Sequence, residues 1–375
     1  MHNGEILEEL FRSRRINLHK GKIFRTSPRP LPTFFEFSRI EGMMLGLAIG
    51  DALGNTNEGL LRSERRERFG EIRDFLPNRY AHGRRLGLPS DDTQISFWTI
   101  ETLLEDRVFI PSHLAARFCR GEIFGIGSTA KAFIWNLKAG KPWYESGPVS
   151  AGNGALLQIP PMLLPHLHGG CTDLWIDTAL SAMITHNDSA SNAACMAFVA
   201  ILWDLLGMVR PPPPHWWPQR YAEVAADLEG ESRYSPRGGM FPDYVGPCWR
   251  YTVERVTEAL HLQLTTGEAC DGWFSGAFLM ETMPSVLYIM MRHGDDPEEA
   301  IVRAVNDTKD NDTIAAIVGA LAGALHGREG LPKRWLDRLP GRTGASDDGK
   351  AYLLLKCARQ VFWEDVLSER GAITR

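Results

Sequence analysis

Several features that define common protein classes are missing from this 375-residue sequence. Its six cysteines are scattered, with no CxxC pair and no spacing typical of a zinc site, so free thiols in a reducing compartment are expected. The first residues mix acidic and basic side chains without a continuous apolar stretch, so no secretory signal is predicted. The longest apolar run, 314–325, is shorter than the about 20 residues that cross a bilayer. A cytoplasmic protein without a membrane partner is therefore expected.

An excess of positive charge is also lacking. The chain has 41 Lys and Arg against 46 Asp and Glu, a formal net charge of −5, so nucleic acid is not an expected partner. No Walker loop, HExxH motif or nucleophile elbow is present. Gly125–Ala130 matches the dinucleotide pattern GxGxxA, but no hydrophobic strand precedes it as that fold requires. A glycine-rich turn that leads into a helix can still present backbone N–H groups to a phosphate.

Residues 1–40 are predicted to form an N-terminal arm, with a short amphipathic helix over 4–15 and a stiff proline-containing stretch at Ser27–Pro32. The arm carries eight Lys and Arg against four acids, whereas the whole chain is acidic. This contrast leaves two interpretations open. The arm is either a docking element for a partner or a terminal extension that packs along its own domain.

Residues 41–375 are predicted to form one domain that is mostly helical, because apolar residues recur there at intervals of three and four. Prolines, tryptophans and glycines interrupt this pattern over 207–250. That segment is predicted to be a loop-rich insertion with at most one helix, and a surface insertion is favoured over a lid.

Two predicted helices carry glycine at every fourth position, which places each set on one helix face. The first set is Gly42, Gly46, Gly50 and Gly54, and the second is Gly319, Gly323 and Gly327. Glycine inside a helix costs up to about 1 kcal/mol relative to alanine. Close helix packing must offset this cost, so both helices are expected at the centre of an all-α core.

Two acidic motifs, Ser90–Thr93 and Asp310–Thr313, each precede an apolar helical run. Carboxylate and hydroxyl oxygens suit Mg²⁺, Mn²⁺ or Ca²⁺ rather than zinc or copper. The alternative is helix capping, because Asp91 and Gln94 stand in capping-box register. Capping explains one acid at each helix but not two, so metal binding is favoured for the two motifs together.

The order of the motifs is more specific than any one of them. GMMLGLAIGDALG over 42–54 is followed by Glu58, then by SDDTQ, the glycine-rich turn, a Gly-Asn-Gly loop at 152–154, Thr185-His186, and DNDTIAAIVGALAGALHG from Asp310. Over residues 41–340 this series resembles the ADP-ribosylglycohydrolase family, the relatives of dinitrogenase reductase-activating glycohydrolase. The resemblance implies a compact orthogonal multi-helix bundle that is all-α, with two Mg²⁺ or Mn²⁺ ions. Such enzymes release ADP-ribose from a modified protein side chain, often arginine.

The resemblance also implies roles for particular residues. The implied metal ligands are Ser90, Asp91, Asp92, Asp310, Asp312 and Thr313. The implied catalytic groups are Glu58, Asp91 and Asp310. The implied substrate contacts are Gly125, Gly127, Ser128, Asn153 and His186, although a lone histidine after a helix is more often a terminal cap.

Three departures from the family pattern stand out. Thr308-Lys309 replaces the usual Gly-Gly before the second acidic motif, where a lysine would compete with metal ions or contact phosphate. Gln158 stands where many relatives have arginine, and Ser150 where some have an acid, so altered substrate contacts are expected. The arm over 1–40 is the third departure. Because some proteins that resemble this family are immunity proteins, the alternative function is binding and blocking an ADP-ribosyltransferase toxin through this arm, with or without hydrolysis.

Overall fold

The computed structural model describes residues 2–367, and this part of the chain is almost entirely helical, with two isolated β-bridges instead of strands. The α-helices are α1 (Asn3–Arg12), α2 (Ser38–Gly54), α3 (Arg62–Phe69), α4 (Asp91–Asp106), α5 (Pro111–Phe118), α6 (Ser128–Lys138), α7 (Trp143–Ser146), α8 (Asp173–Thr185), α9 (Ser189–Leu206), α10 (Trp216–Glu229), α11 (Cys248–His261), α12 (Thr266–Gly272), α13 (Leu279–His293), α14 (Pro297–Asp307), α15 (Asn311–His326), α16 (Lys333–Leu336) and α17 (Lys350–Arg359). Short 3₁₀ helices occupy Lys22–Arg25, Asn55–Asn57, Arg79–Ala81, Gly154–Gln158, Pro160–His166 and Arg328–Gly330, and a π-helical turn follows at Gln360–Glu364. The predicted all-α class is confirmed.

Helices α2 and α15 form the most extensive contact between helices and carry the two glycine stripes. A Cβ atom added to Gly46 would lie 2.8 Å from the carbonyl carbon of Gly319, and one added to Gly323 would lie 2.7 Å from the backbone nitrogen of Met43. Any larger residue would push the two backbones apart. The prediction that both stripes lie on tightly packed central helices is confirmed, and this packing brings the C-terminal end of α2 to the N-terminal end of α15.

Helix α9 lies in the core between α8, α10 and α15. Its 18 residues are long and apolar enough to cross a membrane by length and composition alone, but 89% of this span is buried inside the fold. Burial of this kind is expected of a core helix, because apolar side chains on every face must pack against other elements.

The N-terminal arm packs along the chain's own helices. Leu7 and Leu10 of α1 are buried against the body of the protein. The side-chain amide of Asn3 donates to the carbonyl oxygen of Phe109 at 2.8 Å and to Oδ1 of Asp177 at 2.7 Å. The described part of the arm, residues 2–40, is therefore integrated into the domain, as the second interpretation of this segment predicts.

The segment 207–250 contains α10 between two irregular stretches, and α11 begins near its end, at Cys248. Trp217 and Tyr221 of α10 are each only 1% exposed. The segment therefore contributes a helix to the core in addition to surface loops. Its second irregular stretch, 231–247, returns toward α13, where Arg237 pairs with Glu281.

Candidate active site

The two acidic motifs meet at the N-terminal ends of α4 and α15, where α2 also ends. One carboxylate oxygen from each of Asp51, Asp92 and Asp312 lies within 4.8 Å of the other two, and the same holds for Glu58, Asp310 and Asp312. The two groups share Asp312. Acidic residues that are far apart in the sequence thus form one cluster, which is the arrangement required of a site for divalent cations.

Asp51 is a member of this cluster that the sequence analysis did not select. Its Oδ2 accepts hydrogen bonds from the backbone nitrogens of Ser90 at 2.9 Å and Thr93 at 3.2 Å, and from Oγ1 of Thr93 at 2.5 Å. Its Oδ1 accepts one from Asn55 at 3.0 Å. The carboxylate therefore fixes the first turn of α4 to the end of α2. An aspartate inside the otherwise apolar, glycine-striped part of α2 (42–54) was the available signal.

Capping accounts for Ser90 but not for the acidic residues. Ser90 is the N-cap of α4, and its side chain accepts a hydrogen bond from the backbone nitrogen of Asp92 at 3.2 Å. Asp310 occupies the N-cap position of α15 without forming a capping bond. Oδ2 of Asp92 is buried and has no hydrogen-bond partner in the described part of the chain. A buried carboxylate oxygen without a donor is costly unless a cation compensates it.

The cluster strongly disfavours full ionisation of its own carboxyl groups. Burial, reinforced by the neighbouring carboxylates, raises the pKa of Asp92 and of Asp312 well above the usual range. The same two causes raise the pKa of Asp91 to about 7 and also raise the pKa of Glu58. Burial and nearby Glu58 raise the pKa of Asp310 to about 6. A divalent cation would reverse these shifts, because it stabilises the charged form of every ligand.

The glycine-rich turn (125–130) lies against Asp91. The backbone N–H of Gly127 donates to the Asp91 carboxylate, and a Cβ on Gly125 would lie 3.5 Å from Oδ1 of Asp91. Gly125 has φ +60°, which favours glycine. Ser128 follows as the first residue of α6. A cavity of about 870 Å³ adjoins this turn, and its lining includes Glu58, Ser90 and Gly125.

The Gly-Asn-Gly loop (152–154) contacts the opposite side of the cluster. Nδ2 of Asn153 donates to Oδ2 of Asp310 at 2.6 Å and to Oγ1 of Thr282 at 3.0 Å. The ring of His186 packs beneath the loop, because a Cβ on Gly154 would lie 3.1 Å from its Cε1. Burial lowers the pKa of His186 to about 4, so its imidazole is neutral near pH 7.

The three single residues at which the chain departs from the family pattern, Lys309, Gln158 and Ser150, have different structural outcomes. Nζ of Lys309 lies 3.8 Å from the ring centre of Phe274, so its charge rests on an aromatic face at the edge of the cluster. The expectation that Gln158 alters substrate contacts is wrong. Its side chain is 1% exposed and donates to the carbonyl oxygen of Ser181 at 2.6 Å. Oγ of Ser150 lies 3.0 Å from Oγ1 of Thr129 and so joins the Gly-Asn-Gly loop to α6.

Comparison with known proteins identifies the family. The sequence model of the ADP-ribosylglycohydrolase family matches residues 32–362. The chain belongs to this family. It is 26% identical to ADP-ribosylarginine hydrolase Tri1 of Pseudomonas putida over 80% of this chain and 74% of that protein. It is 24% identical to ADP-ribosyl-[dinitrogen reductase] glycohydrolase of Rhodospirillum rubrum, over 80% of this chain and 90% of that protein.

A solved structure described as an ADP-ribosylglycohydrolase-related protein complex matches with a TM-score of 0.64 and 26% identity, over 87% of this chain and 98% of that one. The fold implied by the resemblance is therefore confirmed. The human ADP-ribosylhydrolase ARH3 is 24% identical over 81% of this chain and 90% of its own length. The protein is thus an ADP-ribosylglycohydrolase, a hydrolase of the glycosidic bond of ADP-ribose.

Proposed function

We propose that this ADP-ribosylglycohydrolase removes ADP-ribose from a modified arginine of a protein substrate, with two Mg²⁺ or Mn²⁺ ions held by the acidic cluster. The convergence of Asp92, Asp310 and Asp312 beside the glycine-rich turn carries the proposal. It brings carboxylates that suit a divalent cation next to backbone groups that suit a diphosphate, which supports the proposal. The name of the relative from Pseudomonas putida supports arginine as the modified residue.

The residues present fit divalent cations. Every candidate ligand is an oxygen atom, as Mg²⁺ and Mn²⁺ prefer, and a cation would compensate the buried Oδ2 of Asp92, which has no hydrogen-bond partner within residues 2–367. Glu58, Asp310 and Asp312 would hold one ion, and Asp92 would hold the other together with the shared Asp312. Ser90, Asp91 and Thr313 lie in the same two turns and would complete the set. When bound, such ions supply Lewis-acid polarisation and lower the pKa of water.

The protein's own groups prepare the remaining chemistry. Asn153 fixes the orientation of the Asp310 carboxylate, and Asp51 fixes the turn that carries Asp91 and Asp92. With cations bound, the carboxylates of Asp91 and Glu58 would be ionised, which suits both for accepting a proton from the reacting groups. Glu58 also lines the cavity, where a modified side chain can enter.

The test is release of ADP-ribose from an arginine-ADP-ribosylated protein, with Mg²⁺ and with EDTA, by wild type and Asp312→Asn. Asp337→Asn is the matched control, because Asp337 is an exposed partner of Lys333 far from the cluster. Release that requires Mg²⁺, persists in the control and is lost in Asp312→Asn is expected. Release that is unaffected by EDTA would contradict the metal assignment. Release from another linkage but not from arginine would overturn the substrate assignment.

No observation favours the alternative immunity function. Leu7 and Leu10 of the arm are buried in the domain, so these side chains serve the protein's own core rather than a partner. Deletion of the arm is expected to destabilise the protein. A cytoplasmic location remains part of the proposal and is supported by the six cysteines, all of them free.

A further inference from the structure

A half-exposed arginine stands at the edge of the acidic cluster with no role in the reaction described above. Arg237 lies in the stretch 231–247. Its Nε and Nη2 donate to Oε1 and Oε2 of Glu281 at 3.1 and 3.0 Å, and its guanidinium carbon lies 4.7 Å from the ring centre of Phe278. The Arg237 side chain is 55% exposed, whereas that of Glu281 is 0% exposed. A buried carboxylate and an aromatic ring therefore hold the guanidinium in place while one edge faces solvent.

Phe278, which contacts Arg237, also contacts the Gly-Asn-Gly loop of the candidate active site. Phe278 pairs with Gly152 in an antiparallel bridge, and the backbone nitrogen of Asn153 donates to the carbonyl oxygen of Ala277 at 3.2 Å. Asn153 in turn contacts Asp310. The charge of Arg237 lowers the pKa of Asp310, against the larger effect of burial. Arg237 thus stands on the side of the cluster that the Gly-Asn-Gly loop lines.

We propose that Arg237 binds the diphosphate of the ADP-ribosyl group, an assignment that rests on the proposed function. A guanidinium is planar, permanently charged and able to bind phosphate oxygens with two parallel donors. Two of its nitrogens are committed to Glu281, but Nη1 makes no hydrogen bond within residues 2–367 and remains available. Because the fork is already fixed, little side-chain entropy is lost when it binds an anion.

The position of Arg237 suits a diphosphate bound between two structural elements. The glycine-rich turn is linked to the Gly-Asn-Gly loop through Thr129 and Ser150, and Phe278 supports the other side of that loop. Backbone N–H groups of the turn and the guanidinium of Arg237 can therefore approach one anion from different sides. Arg237 adds a fixed positive charge at the edge of the cluster, which attracts a diphosphate.

The competing explanation is that Arg237 only neutralises Glu281. Binding of ADP-ribose, measured by calorimetry in Mg²⁺, separates the two, with wild type, Arg237→Ala, Arg237→Lys and the double variant Arg237→Ala/Glu281→Gln. The double variant removes the unpaired buried carboxylate that Arg237→Ala would leave. Arg250→Ala is the matched control, because Arg250 also lies over an aromatic ring, that of Trp249, and pairs with an acid.

If Arg237 binds the diphosphate, Arg237→Ala and the double variant lose about tenfold or more in affinity for ADP-ribose, since a hydrogen bond to a charged group is worth at least that factor. Arg237→Lys loses less affinity than Arg237→Ala, and Arg250→Ala keeps the wild-type affinity. As the salt concentration rises, the affinity of wild type falls more steeply than that of the double variant. Wild-type affinity in the folded double variant would overturn this inference alone. Failure of wild type to bind ADP-ribose at all would overturn the proposed function together with it.

Discussion

Replacement of Gly46 by alanine is expected to destabilise the protein, although alanine is the better helix former. The change favours helix α2 by about 1 kcal/mol. The new Cβ, however, would lie 2.8 Å from the carbonyl carbon of Gly319 and closer still to its oxygen, where carbon atoms normally keep at least about 3.5 Å. Both neighbours are backbone atoms, so no side chain can rotate away and the helices must separate.

The size of the effect follows from these two opposing contributions. Overpacking of a core costs about 1–3 kcal/mol and occasionally more, and an immovable neighbour places this site at the upper end. After the gain in helix propensity, a net loss of about 2 kcal/mol or more in the free energy of unfolding is expected. It should appear as a lower midpoint of denaturation in urea, followed by circular dichroism at 222 nm, with little change in slope.

Gly4→Ala is the matched control for this experiment. Gly4 also lies in a helix, α1, but a Cβ there would meet its nearest atoms, on His2 and Ile176, at 3.7 Å. This variant is therefore expected to be as stable as wild type or more stable by up to about 1 kcal/mol. If Gly46→Ala were as stable as Gly4→Ala, close approach of α2 and α15 could not be the reason for the glycine stripes.

Three further predictions concern the acidic cluster and one buried pair. Asp312→Asn should lower the rate of ADP-ribose release by about a hundredfold or more. In EDTA the same variant should melt at a higher temperature than wild type, because the substitution removes one of the mutually repelling carboxylates. A lower melting temperature in EDTA would contradict this account. Asp51→Ala should lower the free energy of unfolding by about 2–3 kcal/mol, because it leaves the N–H groups at the start of α4 without an acceptor. Asp51→Asn should lower it much less, because the amide oxygen can replace Oδ2. Equal losses in the two variants would argue against the anchoring role. Nε2 of His166 lies 3.0 Å from Oδ2 of Asp177. Burial opposes the charge of His166, but the hydrogen bonds with Asp177 and Cys171 raise its pKa from 6.5 to about 9. Protonated His166 should therefore contribute about 3 kcal/mol of stability, which is fully present below pH 6.5 and is lost as the pH rises through 9. In His166→Gln the free energy of unfolding, measured by denaturation at each pH, should change less over that range.

The sequence alone was sufficient to predict the helical class, the two glycine-striped helices and the two acidic turns. Each of these depends on spacing within a few residues, which sets the face or the end of a helix that a side chain occupies. The order of the motifs also pointed to the family. Local spacing was reliable here because the helices begin where the acidic motifs stand, at Asp91 and just after Asp310.

Only the tertiary structure decided which distant residues meet. Asp51 proved to anchor the turn at Ser90, and Gln158, whose replacement of the family's arginine predicted altered substrate contacts, proved to be buried in the core. Arg237 lies in an irregular stretch without periodicity and reaches the cluster only because Glu281 and Phe278 of the α13 region support it. Such contacts depend on how helices separated by many residues pack against each other, and this packing is set by the summed burial of side chains rather than by any local pattern.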